Sequence, residues 1–185
     1  GKLDPGTGRV TRVDMPNRRA RDPYSLAFDQ AGNIWFTVQN SNFVGRLAAR
    51  GGAITLVALP TKKSRPGAIV IGSADEVWVA GFGSNLLLRV DPVTLAVEEI
   101  RLPREKSRPS AITRTTDGTI WYADYALGSL GRFDPVSRAF TEWPLPGGEE
   151  SEPYGLVIDR NDRIWIVETG RSPNRLVGFD TSTKN

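Results

Sequence analysis

The sequence predicts an all-β chain built from one repeated four-stranded sheet, and three observations carry that reading. Tryptophans stand at Trp35, Trp78, Trp121 and Trp165, separated by 43, 43 and 44 residues. Prolines stand at Pro23, Pro66, Pro109 and Pro153 with the same intervals, each 12 residues ahead of its tryptophan. No segment shows the ~3.6-residue apolar period of an amphipathic helix. Instead, 19 Gly and 13 Pro supply the punctuation of many short strands. A supersecondary unit repeated every ~40 residues marks a repeat fold.

Within each unit the elements follow in one order. An apolar run comes after the proline: SLAF, AIVI, AITR and GLVI. A turn rich in Asp, Gly and Asn follows (DQAGN, GSADE, TTDGT, DRNDR), then the tryptophan strand (IWFT, VWVA, IWYA, IWIV). A polar loop leads to a third run (FVGRL, LLLRV, LGRFD, LVGFD), and a fourth run ends in Leu-Pro at Leu59-Pro60, Leu102-Pro103 and Leu145-Pro146. In IWFT, Ile34 and Phe36 point to one face and Trp35 to the other, so both faces are apolar and both need covering. Four-stranded units sandwiched between like units are the blades of a β-propeller, and about four blades are present.

The predicted organisation is a single domain: residues 1–22 carry the outer strand of a blade, 23–60, 66–103 and 109–146 are full repeats, and 153–185 is a three-strand repeat. GKLD near the start aligns with GRFD of a third strand, and Met15-Pro16 with a Leu-Pro end. Two arrangements fit: a four-bladed ring closed by the spare N-terminal strand, or part of a six- to eight-bladed ring, the latter favoured by the missing initiator Met.

Composition removes whole classes of chemistry. The 185 residues include no Cys, which excludes thiolate nucleophiles, zinc–thiolate sites and disulfides. They include no His, the usual general base near neutral pH, so Ser-His-Asp and Cys-His mechanisms are impossible within the chain. Carboxylates, Tyr, Lys, Ser and Thr remain. With 39% hydrophobic residues and a mean hydropathy of −0.31, the chain has enough apolar side chain for a core but no membrane-spanning run. A net charge of +3 is too small to argue for nucleic acid. Cysteine absence suits cytoplasm or periplasm alike.

Propeller topology sorts the loops onto faces. One face receives residues 17–22 (NRRARD), 61–65 (TKKSR), 104–108 (REKSR) and 147–152 (GGEESE), together with VQNSN, GFGSN, DYALGS and ETGRSPN. This face joins a basic arc to an acidic one, and Glu149, Glu150 and Glu152 break any continuous basic path for nucleic acid. Beside the anchor prolines at its channel mouth stand Asp22, Tyr24, Arg65, Gly67, Arg108, Ser110, Glu152 and Tyr154, and just past the tryptophan strands Val38, Gly81, Asp124 and Glu168. These positions differ from unit to unit, whereas the tryptophans recur and belong to the core. The expected ligand-binding residues are Tyr24, Arg65, Arg108, Ser110, Asp124 and Tyr125. Glu152, Glu168 and Asp124 form an expected oxygen-rich cluster of the kind Mg²⁺ or Ca²⁺ prefers.

IWFT with NFVGRL, IWYADYALGSLGRFDP and SEPYGLVIDRNDRIWIVETG together resemble the virginiamycin B lyase (streptogramin lyase) family across nearly the whole chain. The resemblance implies a seven-bladed propeller, about three repeats more than this sequence holds. It also implies Mg²⁺-assisted elimination that opens cyclic streptogramin B depsipeptides. By that resemblance Glu152 and Glu168 fall on the metal carboxylates, Tyr154 falls on the catalytic histidine, and Ser110 on a second histidine. A free phenol, with a pKa of roughly 10, is a poor base at neutral pH. The sequence therefore predicts a non-catalytic binding propeller for a small polar ligand, a peptide or a protein. The alternative is an Mg²⁺-dependent C–O lyase using Tyr154 and Glu152.

Overall fold

The computed structural model describes residues 1–183. A hairpin, β1 (Lys2–Leu3) and β2 (Val10–Thr11), precedes the repeats. The first sheet is β3 (Pro23–Phe28), β4 (Ile34–Val38), β5 (Phe43–Leu47) and β6 (Ile54–Ala58). The second is β7 (Pro66–Ile71), β8 (Val77–Gly81), β9 (Leu86–Val90) and β10 (Val97–Arg101). The third is β11 (Pro109–Arg114), β12 (Ile120–Asp124), β13 (Ser129–Phe133) and β14 (Phe140–Pro144), and the fourth β15 (Pro153–Ile158), β16 (Arg163–Glu168) and β17 (Arg175–Asp180). Each sheet is an antiparallel meander with strands in sequence order. The inner strands β3, β7, β11 and β15 lie side by side around the axis. The molecule is a β-propeller arc.

The N-terminal strand does not complete the fourth sheet. Lys2 pairs with Thr11 and Leu3 with Val10, and the fourth sheet stops at β17. Asp4 Oδ1 accepts the N–H groups of Gly6 (2.9 Å) and Thr7 (3.2 Å), the same turn that Asp91 and Asp134 make between the third and fourth strands of the second and third blades. The outer strand expected in residues 1–22 thus pairs with β1 as a fourth strand pairs with a third, and the closed four-bladed ring is not formed among the described residues.

Packing between blades explains the tryptophan period. Trp35, Val44 and Val57 of the first blade pack against Ile69, Val79 and Leu88 of the second. Trp78 and Leu87 pack against Ile112, Tyr122 and Phe133 of the third, and Trp121 and Leu130 against Ile164, Ile166 and Phe179 of the fourth. Each indole fills the wedge toward the following sheet. Trp165 has no following sheet among the described residues and is only half-buried, with Val157 and Leu176 exposed around it. The turns serve the indoles: Trp35 Nε1 donates to Asp29 at 2.9 Å, Trp78 Nε1 to Glu76 at 3.2 Å and Trp165 Nε1 to Asp159 at 3.1 Å. Trp121 uses Thr119 and Thr115 instead. A buried N–H needs a partner, which is why these turns carry acids and hydroxyls.

Volume is conserved across strands two and three. Phe36 sits opposite Gly45 and Tyr122 opposite Gly131, where a Cβ would lie 2.2 Å and 2.0 Å from the aromatic Cζ. In the second blade the same pair is Val79 and Leu88 and in the fourth Ile166 and Val177, two side chains of middling size in place of an aromatic and a glycine.

A bulge follows every anchor proline. Pairing with the second strand skips from Pro23 to Leu26, Pro66 to Ile69, Pro109 to Ala111 and Pro153 to Gly155. The skipped residues include Tyr24, Gly67, Ser110 and Tyr154. A bulge bends the strand and re-aims the extra side chain, here at the mouth of the channel.

Candidate site at the channel mouth

The site is built from the bulges and the loops above them. The carbonyl of Arg108 accepts the Tyr125 N–H (3.0 Å) and that of Glu152 the Thr169 N–H (3.4 Å), so each inter-blade linker is laced to the loop following the tryptophan strand. In the second blade Gly83 N donates to Ser64 O (2.8 Å). A Cβ at Gly83 would meet Lys63 O at 2.4 Å and Arg65 Cγ at 2.8 Å, so only glycine lets the linker lie this close. Asp22, Arg65 and Glu152, each directly before an anchor proline, take positive φ of 61°, 47° and 43°. That conformation is strained for a pre-proline side chain, and it clusters here at the mouth.

These loops bring together an alternating row of guanidinium and aromatic groups. Arg65 Cζ lies 5.4 Å and Arg108 Cζ 4.5 Å from the Phe82 ring centroid, and Arg108 is also 5.8 Å from Tyr125. Phe82 meets Tyr125 edge-on at 5.7 Å, and Tyr125 meets Tyr154 edge-on at 6.3 Å. The Tyr154 hydroxyl is 2.8 Å from that of Tyr24, which joins the first and last inner strands across the mouth. That hydrogen bond, with partial burial, pushes the Tyr24 pKa up to about 12. Hydrogen bonding to the Glu152 carboxylate likewise raises that of Tyr125.

Of the residues expected from sequence, Tyr24, Arg65, Arg108, Tyr125, Glu152 and Tyr154 therefore share this rim. Ser110, Asp124 and Glu168 lie beneath it. The Ser110 hydroxyl is buried between blades and donates to Pro153 O at 2.6 Å. Asp124 is fully buried, and its Oδ1 accepts the N–H groups of Arg108 (3.0 Å), Ala126 (3.1 Å) and Leu127 (3.2 Å), shaping the very loop that carries Tyr125. Glu168 is fully buried with Oε1 on Gly147 N–H at 2.8 Å. Sequence reasoning missed Phe82, although it occupies in GFGSN the place of Tyr125 in DYALGS, one residue past its tryptophan strand.

The magnesium ion implied by the resemblance finds an incomplete donor set. Glu168 Oε2 is buried without a partner, but no group of three or more His, Cys, Asp or Glu side chains forms a metal cluster among the described residues. Glu152 lies against Tyr125, and the cation would depend on waters or an anionic ligand for the rest of its six oxygens. The residues present do not make an Mg²⁺ site on their own. A cavity of about 500 Å³ opens at the other end of the channel, where Asp75 and Asp162 are engaged by Gln30 N–H (3.1 Å) and Thr116 N–H (3.1 Å).

Radial antiparallel blades around an axis, with side chains that vary from blade to blade at one channel mouth, define a β-propeller. The sequence model of the virginiamycin B lyase family matches residues 1–175, and the chain belongs to that family. Among solved structures it is similar to selenomethionine-substituted virginiamycin B lyase from Staphylococcus aureus, with a TM-score of 0.84 and 25% identity over 96% of this chain and 61% of that one. A streptogramin B lyase structure gives 0.83 and 25% over 96% and 60%. A catalytically inactive histidine-to-alanine variant of the Staphylococcus aureus lyase, with quinupristin, gives 0.82 and 27% over 94% and 60%. The chain thus spans about 60% of the length of the lyases it resembles. No curated protein sequence matches it.

Proposed function

We propose that this chain is a non-catalytic ligand-binding propeller of the lyase family, engaging a small polar ligand or peptide at the channel mouth. The observation that carries the reading is the row Arg65–Phe82–Arg108–Tyr125–Tyr154. It offers aromatic and cationic recognition surface, while the positions that the resemblance assigns to proton transfer hold Tyr154 and a buried Ser110. A base must reach a substrate proton. The Ser110 hydroxyl is spent on Pro153 O, and the Tyr154 hydroxyl is engaged with another phenol. The test is a panel of polar metabolites and short peptides titrated into the protein by calorimetry. Saturable binding that weakens in Arg108→Ala supports the reading, and absence of binding across the panel overturns it.

Family membership favours a second reading, an Mg²⁺-dependent lyase acting on cyclic depsipeptides, for which Glu152 and Glu168 would need water or ligand oxygens to complete the metal's shell. Mass spectrometry of quinupristin incubated with protein and Mg²⁺ separates the two. A linear product without added mass marks elimination, and an unchanged ring excludes this activity.

A further inference from the structure

Arg65 and Arg108 are held against one Phe82 ring, at 5.4 Å and 4.5 Å, although their charges repel. No ion pair of either guanidinium occurs among the described residues. Other arginines in the loops of this face behave otherwise: Arg104 pairs with Glu142 at 3.1 Å and Arg171 with Glu150 at 2.7 Å. The rim carboxylate Glu152 forms no ion pair with either guanidinium among the described residues. Backbone positions hold both arginines in place. Arg65 sits in a left-handed conformation against Gly83, and the Arg108 N–H is fixed by buried Asp124 Oδ1 at 3.0 Å. Two exposed, aromatic-braced guanidinium forks without a counter-charge form a receptor for a planar anion. Beside them, Tyr154 is 47% exposed and offers a ring for stacking, edge-on to half-buried Tyr125.

We infer that the ligand of this rim is a carboxylate attached to an aromatic body, its carboxylate held by Arg65 and Arg108 and its ring lying on Tyr125 and Tyr154. This deepens the binding reading above and rests on it. Phe82 acts as the positioning residue that keeps the two cations together.

The experiment titrates the full chain, by calorimetry and by nuclear magnetic resonance of the arginine Nε–H signals, with N-acetyl-L-phenylalanine, its amide, and N-acetyl-L-alanine. The acid is expected to bind about tenfold or more tighter than the amide, as a charge-assisted fork requires. It is also expected to bind several-fold tighter than the alanine analogue. Arg108→Ala and Arg65→Ala abolish the preference for acid over amide, and Phe82→Leu, with the chain still folded by circular dichroism, weakens acid binding with the amide unaffected. Equal binding of acid and amide overturns the anion inference and leaves a binding rim standing. Equal binding of the phenylalanine and alanine acids overturns the aromatic half. Acid binding indifferent to all three substitutions moves the site elsewhere, and silence toward these probes together with the wider panel removes the binding reading itself.

Discussion

Replacing Tyr24 by Phe removes one oxygen and isolates the contact that spans the channel mouth. The Tyr24 and Tyr154 hydroxyls are 2.8 Å apart, and each side chain is 47% exposed. A hydrogen bond contributes about 0.5–1.5 kcal/mol net, and half-exposure puts this one near the lower end, at about 0.5–1 kcal/mol. For a chain of this length that corresponds to a fall in Tm of about 1–4 °C. The sign of the pH dependence follows from the direction of the shift. The hydrogen bond to Tyr154 and burial raise the Tyr24 pKa to about 12, so the neutral phenol is the form that the fold favours. Its contribution is fully present below the unfolded value of roughly 10 and is lost as pH rises from there through about 12. Thermal melts at neutral pH and an ultraviolet phenolate titration of parent and Tyr24→Phe proteins give the assay. Equal Tm values, and a difference titration with its midpoint at the ordinary phenol value, would refute the bridge between the first and fourth blades.

Other expectations follow from packing and from the turns. Gly131→Ala places a Cβ 2.0 Å from Tyr122 Cζ and is expected to destabilise by about 1–3 kcal/mol in urea unfolding. The pair Gly131→Leu with Tyr122→Val, copied from Leu88 and Val79, recovers part of that loss, and a double-mutant cycle showing additivity would contradict the volume rule. Trp121→Ala, which opens the interface between the third and fourth blades, costs about 3–5 kcal/mol, whereas Trp165→Ala at the half-buried end costs markedly less. At Asp29, burial opposes the charge, but hydrogen bonds from Asn33 and Trp35 outweigh it and hold the pKa below the usual carboxylate value. Its stabilisation is present above about pH 4 and is lost as pH falls through the depressed value, so Asp29→Ala should flatten the acid limb of a stability–pH profile.

The repeat, the strand order and the indole packing were legible because each is local or periodic. A proline 12 residues before each tryptophan marks the start of an inner strand, and that mark places the bulge carrying Tyr24 or Tyr154 without coordinates. Rim membership was less legible. Ser110 shares its repeat position with the rim residues Tyr24 and Tyr154, and Asp124 shares its own with Val38, Gly81 and Glu168, all buried; they point into the blade interface and the loop base, where a carbonyl and three N–H groups claim them. Phe82 was overlooked because GFGSN reads as a small-residue turn. Only the adjacent blade, which supplies Arg108, turns its ring into a shared cation platform. Residues 1–16 read as the end of a repeat, and the Asp4 turn pairs β2 with β1 just as Asp91 and Asp134 pair the last two strands of later blades. Whether that outer strand closes a ring is a question of distant edges, which a local match does not address.

The amino-acid sequence by itself determined that this is an all-β arc of four repeats whose tryptophans fill the wedges between blades. It also determined that no chemistry based on histidine or cysteine is open to the chain. Periodicity and composition are properties of the order of residues, so they need no third dimension. The tertiary structure alone decided which variable side chains meet at the mouth, that Glu168 and Asp124 are buried, and that Arg65 and Arg108 share one ring. Those facts depend on the angle between blades and the path of the bulges, and no spacing along a single strand encodes how two separate repeats face each other.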